Sequence, residues 1–271
     1  MFLIAPQVSL MRIAISGKGG VGKTTLAAWI ARLLVKEGQN VLAIDADPTN
    51  NLAPTLGFPP ELYENIVPLK ERSNLIEERV GAQGGFFRLN PKVDDLLPQL
   101  AVEYQGIKLI VMGTIKEAGG GCACPENTLL RAFIGHLLVE KGESVIVDME
   151  AGLEHLGRRT VEAVDALLVV VEPSQNSIMV AKKIKELAEG LGLKKSFFVA
   201  NKINSAEEEL FIRARLPEEH LLGYLPYSES LRRQALSELS ESSVLTRDAR
   251  LESELKNLLR QVRLRGITPG N

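Results

Sequence analysis

The stretch GKGGVGKTT at residues 17–25 lies between an apolar run at residues 11–15 and an amphipathic run that begins at Leu26. This order predicts a buried strand, a glycine-rich loop and a helix, and the loop fits the pattern G-x-x-x-x-G-K-T. Its glycines let successive backbone N–H groups turn inward around an anion. The residues that we expect to surround the phosphates of a nucleotide are Gly17, Gly19, Gly20, Val21, Gly22, Lys23, Thr24 and Thr25.

Two side chains at the end of this loop carry the chemistry. Lys23 is expected to neutralise the β and γ phosphates, and the Thr24 hydroxyl is expected to ligate Mg²⁺. The positive end of the following helix adds to both effects. A glycine-rich turn without function is the alternative, but the strand and the helix that a phosphate loop needs are both predicted here.

A second lysine follows the first glycine of the loop. Lys18 adds a cation that the loop does not need, and its backbone cannot easily aim it at phosphates enclosed by the same loop. We therefore expect it to reach the nucleotide of a partner subunit, with a solvated loop lysine as the alternative. The segment resembles the deviant P-loop ATPases, which include MinD, ParA and the nitrogenase iron protein. In that family the residue matching Lys18 crosses the interface of a nucleotide-sandwich dimer.

Composition sets the broad class. The chain has 271 residues, of which 45% are hydrophobic, and this suits one α/β domain with insertions. A net charge of −2 gives no global attraction to nucleic acid or anionic lipid. Only two cysteines occur, close together, which favours a cytoplasmic protein. No apolar run reaches the roughly 20 residues of a membrane span, so stable membrane insertion is not expected. Residues 1–10 are interpreted as an N-terminal extension, with Met11 as a possible start.

Two predicted strands end in acidic residues. Asp45 and Asp47 follow one apolar run, and Asp148 follows another. Because ligands of open parallel sheets lie at the carboxyl ends of strands, these acids are expected to face the phosphates; turn formation or helix capping is the alternative. The family resemblance implies that Asp45 lies near Mg²⁺ and that Asp47 positions or deprotonates the attacking water. Asp148 is expected to hold a magnesium-bound water, and Gly152 to bring its N–H close to the γ-phosphate.

Both cysteines lie in the segment GGGCACPE at residues 119–126. Two thiols separated by one residue, Cys122 and Cys124, can bind a metal ion but fill only half of a tetrahedral site. A second copy of the chain across a two-fold axis would supply the other two ligands. This arithmetic favours Zn²⁺, Ni²⁺ or another thiophilic ion between subunits, with two ordinary thiols in a loop as the alternative.

A narrower resemblance rests on three segments, which are GCACPE at 121–126, DMEAGLEHLGR at 148–158 and VEPSQNSI at 171–178. Together they resemble the CooC-type ATPases, which mature nickel-dependent carbon monoxide dehydrogenase. The resemblance implies that Cys122 and Cys124 bind metal at a dimer interface, and that ATP turnover accompanies nickel insertion into a client enzyme. Arg159 departs from the small residue of that family and leaves the roles of His155 and Arg158 open.

Later strand ends suggest how the base is bound. Asn201, at one strand end, can hydrogen-bond the N6 and N7 edge of adenine, and the aliphatic stem of Lys202 can cover the base. Pro226 and Tyr227 match the second base-binding loop of the family. These residues favour ATP over GTP, and Asn201 as a mere strand terminus is the alternative.

The predicted fold is a single doubly wound α/β domain over residues 11–271, with a mainly parallel sheet and helices on both faces. An insertion is placed at about 50–125, within which residues 90–104 are read as loop and helix. A C-terminal helix is placed at about 248–264. Its apolar stripe is expected to dock on the domain, with membrane binding as the alternative.

The leading hypothesis is an ATP-hydrolysing homodimeric metallochaperone that binds ATP and ADP with Mg²⁺, holds Zn²⁺ or Ni²⁺ between its subunits, and serves a nickel enzyme, either carbon monoxide dehydrogenase or acetyl-CoA synthase. One alternative is a MinD-like or ParA-like positioning ATPase that acts on membrane or DNA. Another is a dimeric iron–sulfur electron carrier.

Overall fold

The computed structural model describes residues 10–47, 49–81, 88–113, 125–139, 142–151, 163–193, 195–231 and 248–266. The strands are β1 (Arg12–Gly17), β2 (Val41–Ala46), β3 (Val102–Tyr104), β4 (Ile107–Val111), β5 (Ser144–Met149), β6 (Ala166–Val171), β7 (Ser196–Ile203) and β8 (Leu221–Pro226). The helices are α1 (Lys23–Lys36), α2 (Leu52–Thr55), α3 (Pro60–Tyr63), α4 (Ser73–Val80), α5 (Leu97–Leu100), α6 (Pro125–Val139), α7 (Gln175–Gly190), α8 (Ala206–Arg213) and α9 (Ala249–Gly266).

The described strands form one sheet in the order β3-β4-β2-β5-β1-β6-β7-β8. All neighbouring pairs are parallel except β3 and β4, which are antiparallel. The chain leaves β1 for β2 on one side and later adds β6 on the other, so the strand order reverses around β1. An open parallel sheet binds its ligand at such a switch point, outside the carboxyl ends of the strands. The predicted doubly wound, mainly parallel α/β fold is therefore confirmed.

Helices cover both faces of this sheet because its central strands alternate between two cores. Ile13 and Ile15 of β1 pack with residues of α1 and α9, whereas Ala14 between them packs with residues of α6 and α7. All six residues of β2, β5 and β6 are buried, as near-continuous apolar runs require in a parallel sheet.

The edge strand β3 corrects one expectation. Residues 90–104 were read as loop and helix, but Val102–Tyr104 pairs with β4 through a two-residue turn. Gln105 and Gly106 in this turn have φ values of +49° and +78°, the pattern of a type I′ hairpin turn. The sequence signal for this turn is Gly106. Gln105 weakens that signal, because glycine, asparagine or aspartate usually stands at the first position of such a turn.

The helix α9 docks on the domain through its apolar stripe. Leu251, Leu255, Leu258, Leu259 and Val262 are each at most 2% exposed, and they pack with residues of β8 and α1. Arg263 pairs with Glu37 at the end of α1, and the Arg265 guanidinium donates to the Leu221 carbonyl. Across the residues that the structure describes, no helix has both the length and the apolar character that crossing a membrane requires.

Candidate active site

The glycine-rich loop leaves β1 at the carboxyl edge of the sheet, between β5 and β6. Gly17 has a φ of +151°, and a methyl group on it would lie 2.5 Å from the Val170 carbonyl oxygen. Gly22, with a φ of +99°, precedes α1, and a methyl group there would overlap the Asn201 amide nitrogen. Glycine is therefore needed on the sheet side of the loop. On the outer side, a methyl group on Gly20 would contact no atom among the described residues, so space for an anion is open there.

Lys23 begins α1, and its ammonium lies beside the Asp47 carboxylate. Its side chain is 6% exposed, and its Nζ lies 3.9 Å from Asp47 Oδ2. The other Asp47 oxygen accepts hydrogen bonds from the Thr49 backbone N–H and hydroxyl, at 3.0 and 2.7 Å. Asp47 is thus held toward Lys23, at the place where the positive end of α1 favours phosphate.

Asp45 organises the segment that follows β2. Its Oδ1 accepts a hydrogen bond from the Asp47 N–H at 3.2 Å, and its Oδ2 accepts one from the Leu52 N–H at 3.0 Å. Burial raises the pKa of Asp45 to about 6, and these two backbone hydrogen bonds limit the rise. Both Asp45 oxygens therefore fix the path of residues 45–52.

Asp148 lies beside Asp45, its partner in register across β2 and β5. It is fully buried, and neither carboxylate oxygen accepts a hydrogen bond of normal geometry from any residue that the structure describes. Burial raises its pKa to about 7; the Thr24 hydroxyl and Lys23 oppose this rise, while the Asp45 charge adds to it. A buried carboxylate with so few hydrogen-bond donors suits a cation, or a water that a cation binds.

This arrangement fits Mg²⁺. Within the described ranges, no three histidine, cysteine or acidic side chains converge as a protein-only metal site. Mg²⁺ does not need one, because it keeps several waters and uses one or two protein oxygens together with substrate phosphates. The Thr24 hydroxyl beside the buried Asp148 carboxylate supplies that kind of donor set.

The end of β7 contacts the glycine-rich loop directly. Asn201 Nδ2 donates to the Val21 carbonyl at 2.8 Å, and Lys202 Nζ donates to the Gly20 carbonyl at 2.6 Å. Because C=O and N–H point in opposite directions in a trans peptide, turning these two carbonyls toward β7 turns the following N–H groups away from it. The structure therefore places the Asn201 amide and the Lys202 ammonium as supports of the loop. Neither contact was predicted.

A carboxylate that sequence reasoning passed over lies beside these lysines. Glu172, directly after β6, has one oxygen 3.6 Å from Lys18 Nζ and the other 3.5 Å from Lys202 Nζ. An acid at the end of an apolar strand is the signal that singled out Asp45 and Asp148, so the same signal was available for Glu172.

The sheet gathers most of the predicted site at one edge. Tyr227 follows β8, and its N–H donates to the Ile203 carbonyl at the end of β7. The predicted site residues at this edge are Gly17, Lys18, Gly19, Gly20, Val21, Gly22, Lys23, Thr24, Thr25, Asp45, Asp47, Asp148, Asn201, Lys202, Pro226 and Tyr227. Three predicted site residues, Cys122, Cys124 and Gly152, lie outside the described part of the chain. His155, Arg158 and Arg159 also lie outside it.

Comparison with known proteins assigns this phosphate-binding edge to a family. Residues 13–241 match the family described as the CobQ/CobB/MinD/ParA nucleotide binding domain. The chain belongs to this family. Within this family, the chain is 46% identical over 224 residues to the carbon monoxide dehydrogenase accessory protein CooC of Rhodospirillum rubrum. The match covers 82% of this chain and 85% of that protein. It is 45% identical over 228 residues to an uncharacterized ATP-binding protein of Methanocaldococcus jannaschii, with 82% and 87% covered. The resemblance to CooC-type ATPases is confirmed.

Solved structures support the MinD/ParA fold. MinD of Aquifex aeolicus in its complex with MinC superposes with a TM-score of 0.65 at 23% identity, over 96% of this chain and 98% of that one. MinD of Pyrococcus horikoshii complexed with Mg-ADP superposes with a TM-score of 0.62 at 19% identity, over 94% and 96%. At these identities the likeness concerns the fold.

Proposed function

We propose that this CooC-type protein is a cytoplasmic, Mg²⁺-dependent ATPase that works as a homodimer and inserts nickel into a client enzyme. The hydrolytic part rests on one observation: the buried Asp148 carboxylate lies beside the glycine-rich loop and accepts no hydrogen bond of normal geometry from any residue that the structure describes. Mg²⁺ at this place would supply positive charge that offsets the negative charge developing during phosphoryl transfer. Thr24 would ligate it directly, and Asp148 would hold one of its waters.

Other residues of the same chain would bind the phosphates and position the attacking water. Lys23 contacts the phosphates from the first turn of α1, where the helix end also favours negative charge. Asp47, held by Thr49, positions or deprotonates the attacking water. Gly17, Gly19, Gly20, Val21, Gly22 and Thr25 surround the phosphates through the backbone of the loop and the start of α1.

Base binding falls to the ends of β7 and β8. The Asn201 amide nitrogen already donates to Val21, so its carbonyl oxygen is the group that would accept from the adenine N6 amine. Lys202, Pro226 and Tyr227 would flank the base. This division of labour favours ATP over GTP.

The dimer follows from Lys18. In this proposal each Lys18 reaches the triphosphate of the partner subunit, so ATP draws two chains together. Closing would bring Cys122 and Cys124 of both chains within reach of one ion, giving the four thiolates of a tetrahedral site. Nickel is then cargo rather than a resident cofactor, and Zn²⁺ is the ion most able to compete for such a site.

The nickel client is supported by the similarity to CooC, an accessory protein of carbon monoxide dehydrogenase. The test is metal analysis of the protein with and without Mg-ATP, followed by transfer to a nickel-free client enzyme. We expect about one ion for each two chains, and the double variant Cys122→Ala/Cys124→Ala should lose it while it keeps ATP binding. Metal retained by the double variant would place the site elsewhere, and a client activated equally without ATP would refute coupled insertion.

A positioning ATPase of the MinD or ParA type is the second candidate, because the fold is shared with these proteins. The burial of the apolar stripe of α9 speaks against a membrane anchor at that helix. ATP-dependent binding to lipid vesicles or DNA that survives loss of both cysteines would favour this candidate.

A further inference from the structure

Three neighbouring strand ends bring two lysines to one carboxylate. β1, β6 and β7 lie side by side in the sheet, and the residues at or just beyond their carboxyl ends include Lys18, Glu172 and Lys202. Glu172 Oε1 lies 3.6 Å from Lys18 Nζ, and Glu172 Oε2 lies 3.5 Å from Lys202 Nζ. Each oxygen of a single carboxylate therefore faces a different cation.

Glu172 projects from a firmly held backbone. Its N–H donates to the hydroxyl of Ser177 at 3.1 Å, and Ser177 is 1% exposed. Ser174 caps α7 by accepting a hydrogen bond from the Ser177 N–H, a contact typical of a stable helix start. The position of the carboxylate is consequently set by the junction between β6 and α7.

The two lysines are held differently. Lys202 Nζ also donates to the Gly20 carbonyl at 2.6 Å, so it is anchored on the loop. The Lys18 side chain is 38% exposed, and Glu172 is the group with which its ammonium pairs. Its ion pair with Glu172 ties it to its own chain, whereas a role across a dimer interface requires its ammonium to leave that carboxylate.

We propose that Glu172 is a positioning residue for Lys18, which holds the lysine on its own chain until the triphosphate of a second copy takes it. Glu172 thereby sets how readily two ATP-loaded chains close. This inference rests on the proposed function, because it requires Lys18 to act on the nucleotide of the partner subunit.

The charges make this exchange feasible. An ion pair between partly exposed groups at 3.6 Å contributes little, whereas a triphosphate carries several negative charges in an interface that excludes water as it closes. After Lys18 leaves, Lys202 still faces Glu172. The carboxylate is then not left uncompensated, which would be costly as the surface becomes buried.

The first experiment measures the Mg-ATP-dependent dimer dissociation constant by analytical ultracentrifugation. Glu172→Gln should lower it by roughly 2- to 20-fold, since two weakly stabilising ion pairs no longer have to break. Glu172→Asp, which keeps the charge, should stay closer to the wild type. Glu186→Gln, which removes a charge from an exposed position on α7, is the matched control and should have no effect. The difference should shrink as salt rises.

The second experiment repeats Glu172→Gln in a Lys18→Ala background. If Glu172 acts through Lys18, the effect on dimerisation disappears in this background. If Glu172→Gln promotes dimerisation equally without Lys18, the carboxylate acts through the overall electrostatic potential of the dimerising surface. The inference is then overturned.

The third experiment uses the nucleotide-free protein at concentrations where it is monomeric. In NMR spectra of ¹⁵N-labelled lysine, the Lys18 ammonium signal should move with Glu172→Gln and not with Glu186→Gln. An unmoved signal, together with normal Lys18-dependent dimerisation, refutes the Glu172 inference alone. A signal that moves in a protein that never dimerises with Mg-ATP refutes the proposed dimer, and the role of Glu172 in closing falls with it.

Discussion

In the nucleotide-free protein, the buried carboxylate of Asp148 reduces the stability of the folded state at neutral pH. A carboxylate with its pKa raised to about 7 by burial binds a proton that the unfolded chain, with the ordinary value of 3.8, would release. The folded state therefore binds more protons between about pH 4 and pH 7, and its stability falls as pH rises through that window. If Mg²⁺ and nucleotide bind here as proposed, their binding would restore the stability that the buried charge costs.

Asp148→Asn removes this cost and the charge together. At pH 8 without Mg²⁺ the variant should be more stable than the wild type by about 1–3 kcal/mol. The gain should shrink as pH falls through the window and vanish only below the unfolded-state pKa of 3.8, where Asp148 is protonated in both states. ATP hydrolysis should fall by about 10- to 100-fold, because Mg²⁺ would lose the carboxylate that holds one of its waters. Urea unfolding across this pH range and a phosphate-release assay measure both effects.

Asp95→Asn is the control of opposite sign. The Arg79 guanidinium, which makes two hydrogen bonds of 2.8 Å to Asp95, lowers the pKa of that carboxyl. Asp95→Asn should therefore lower the free energy of unfolding at neutral pH and leave ATP hydrolysis unchanged. A stability gain for Asp148→Asn that is equal at pH 5 and pH 8 would contradict the raised pKa.

Among the elements, β7 has a second task beside its place in the sheet, because its end shapes the phosphate loop. The two interpretations of Asn201 differ in which ligands they affect. A residue that reads adenine discriminates ATP from GTP, whereas a residue that holds the Val21 carbonyl affects every ligand that the loop binds.

Asn201→Ala separates these interpretations. Loss of a buried hydrogen bond to the loop should weaken ATP, GTP and inorganic triphosphate alike, by about 5- to 30-fold, and ATP should lose somewhat more because its adenine also loses the Asn201 carbonyl. Isothermal titration calorimetry with the three ligands measures this. A loss confined to ATP would assign Asn201 to the base alone. Tyr227→Ala is the matched control: Tyr227 lies beyond the loop contacts, so this variant should affect only ligands that carry a base.

The docked helix α9 gives a prediction about stability and membranes. Leu259→Ala removes a fully buried side chain and should cost about 2–4 kcal/mol in unfolding free energy, whereas Leu264→Ala, at a site 71% exposed, should cost less than about 0.5 kcal/mol. Urea denaturation gives both values. If α9 instead bound lipid through this stripe, Leu259→Ala would leave stability intact and reduce co-sedimentation with anionic vesicles.

The sequence was sufficient where a local pattern determines the structure. The glycine-rich loop, the apolar runs of β1, β2, β5 and β6, and the stripe of α9 each carry their own periodicity or spacing. It was not sufficient where distant segments meet. Asn201 reaches Val21 across 180 positions, and Lys18 meets Glu172 across the β1–β6 pairing, so neither contact leaves a local pattern.

Taken as one unit, the chain presents an incomplete active site at a single edge of its sheet. Lys23, Asp47 and Asp148 lie there at the ends of three strands, while the partly exposed Lys18 pairs with Glu172 instead. If that lysine serves the partner subunit, each site of the dimer takes Lys23 and Asp47 from one chain and Lys18 from the other. Such sharing can be tested by mixing variants that are each inactive.

Lys18→Ala and Asp47→Ala should each have little ATPase activity alone. In a mixed dimer of the two, the site of the Lys18→Ala chain keeps its own Asp47 and receives Lys18 from its partner, so one site of two is complete. With random assortment, mixing equal amounts should restore about a quarter of the wild-type rate. Mixing Asp47→Ala with Lys23→Ala, which both act within their own chain, should restore nothing. Phosphate release at concentrations above the dimer dissociation constant measures this, and failure of the first mixture to recover would place Lys18 at its own nucleotide.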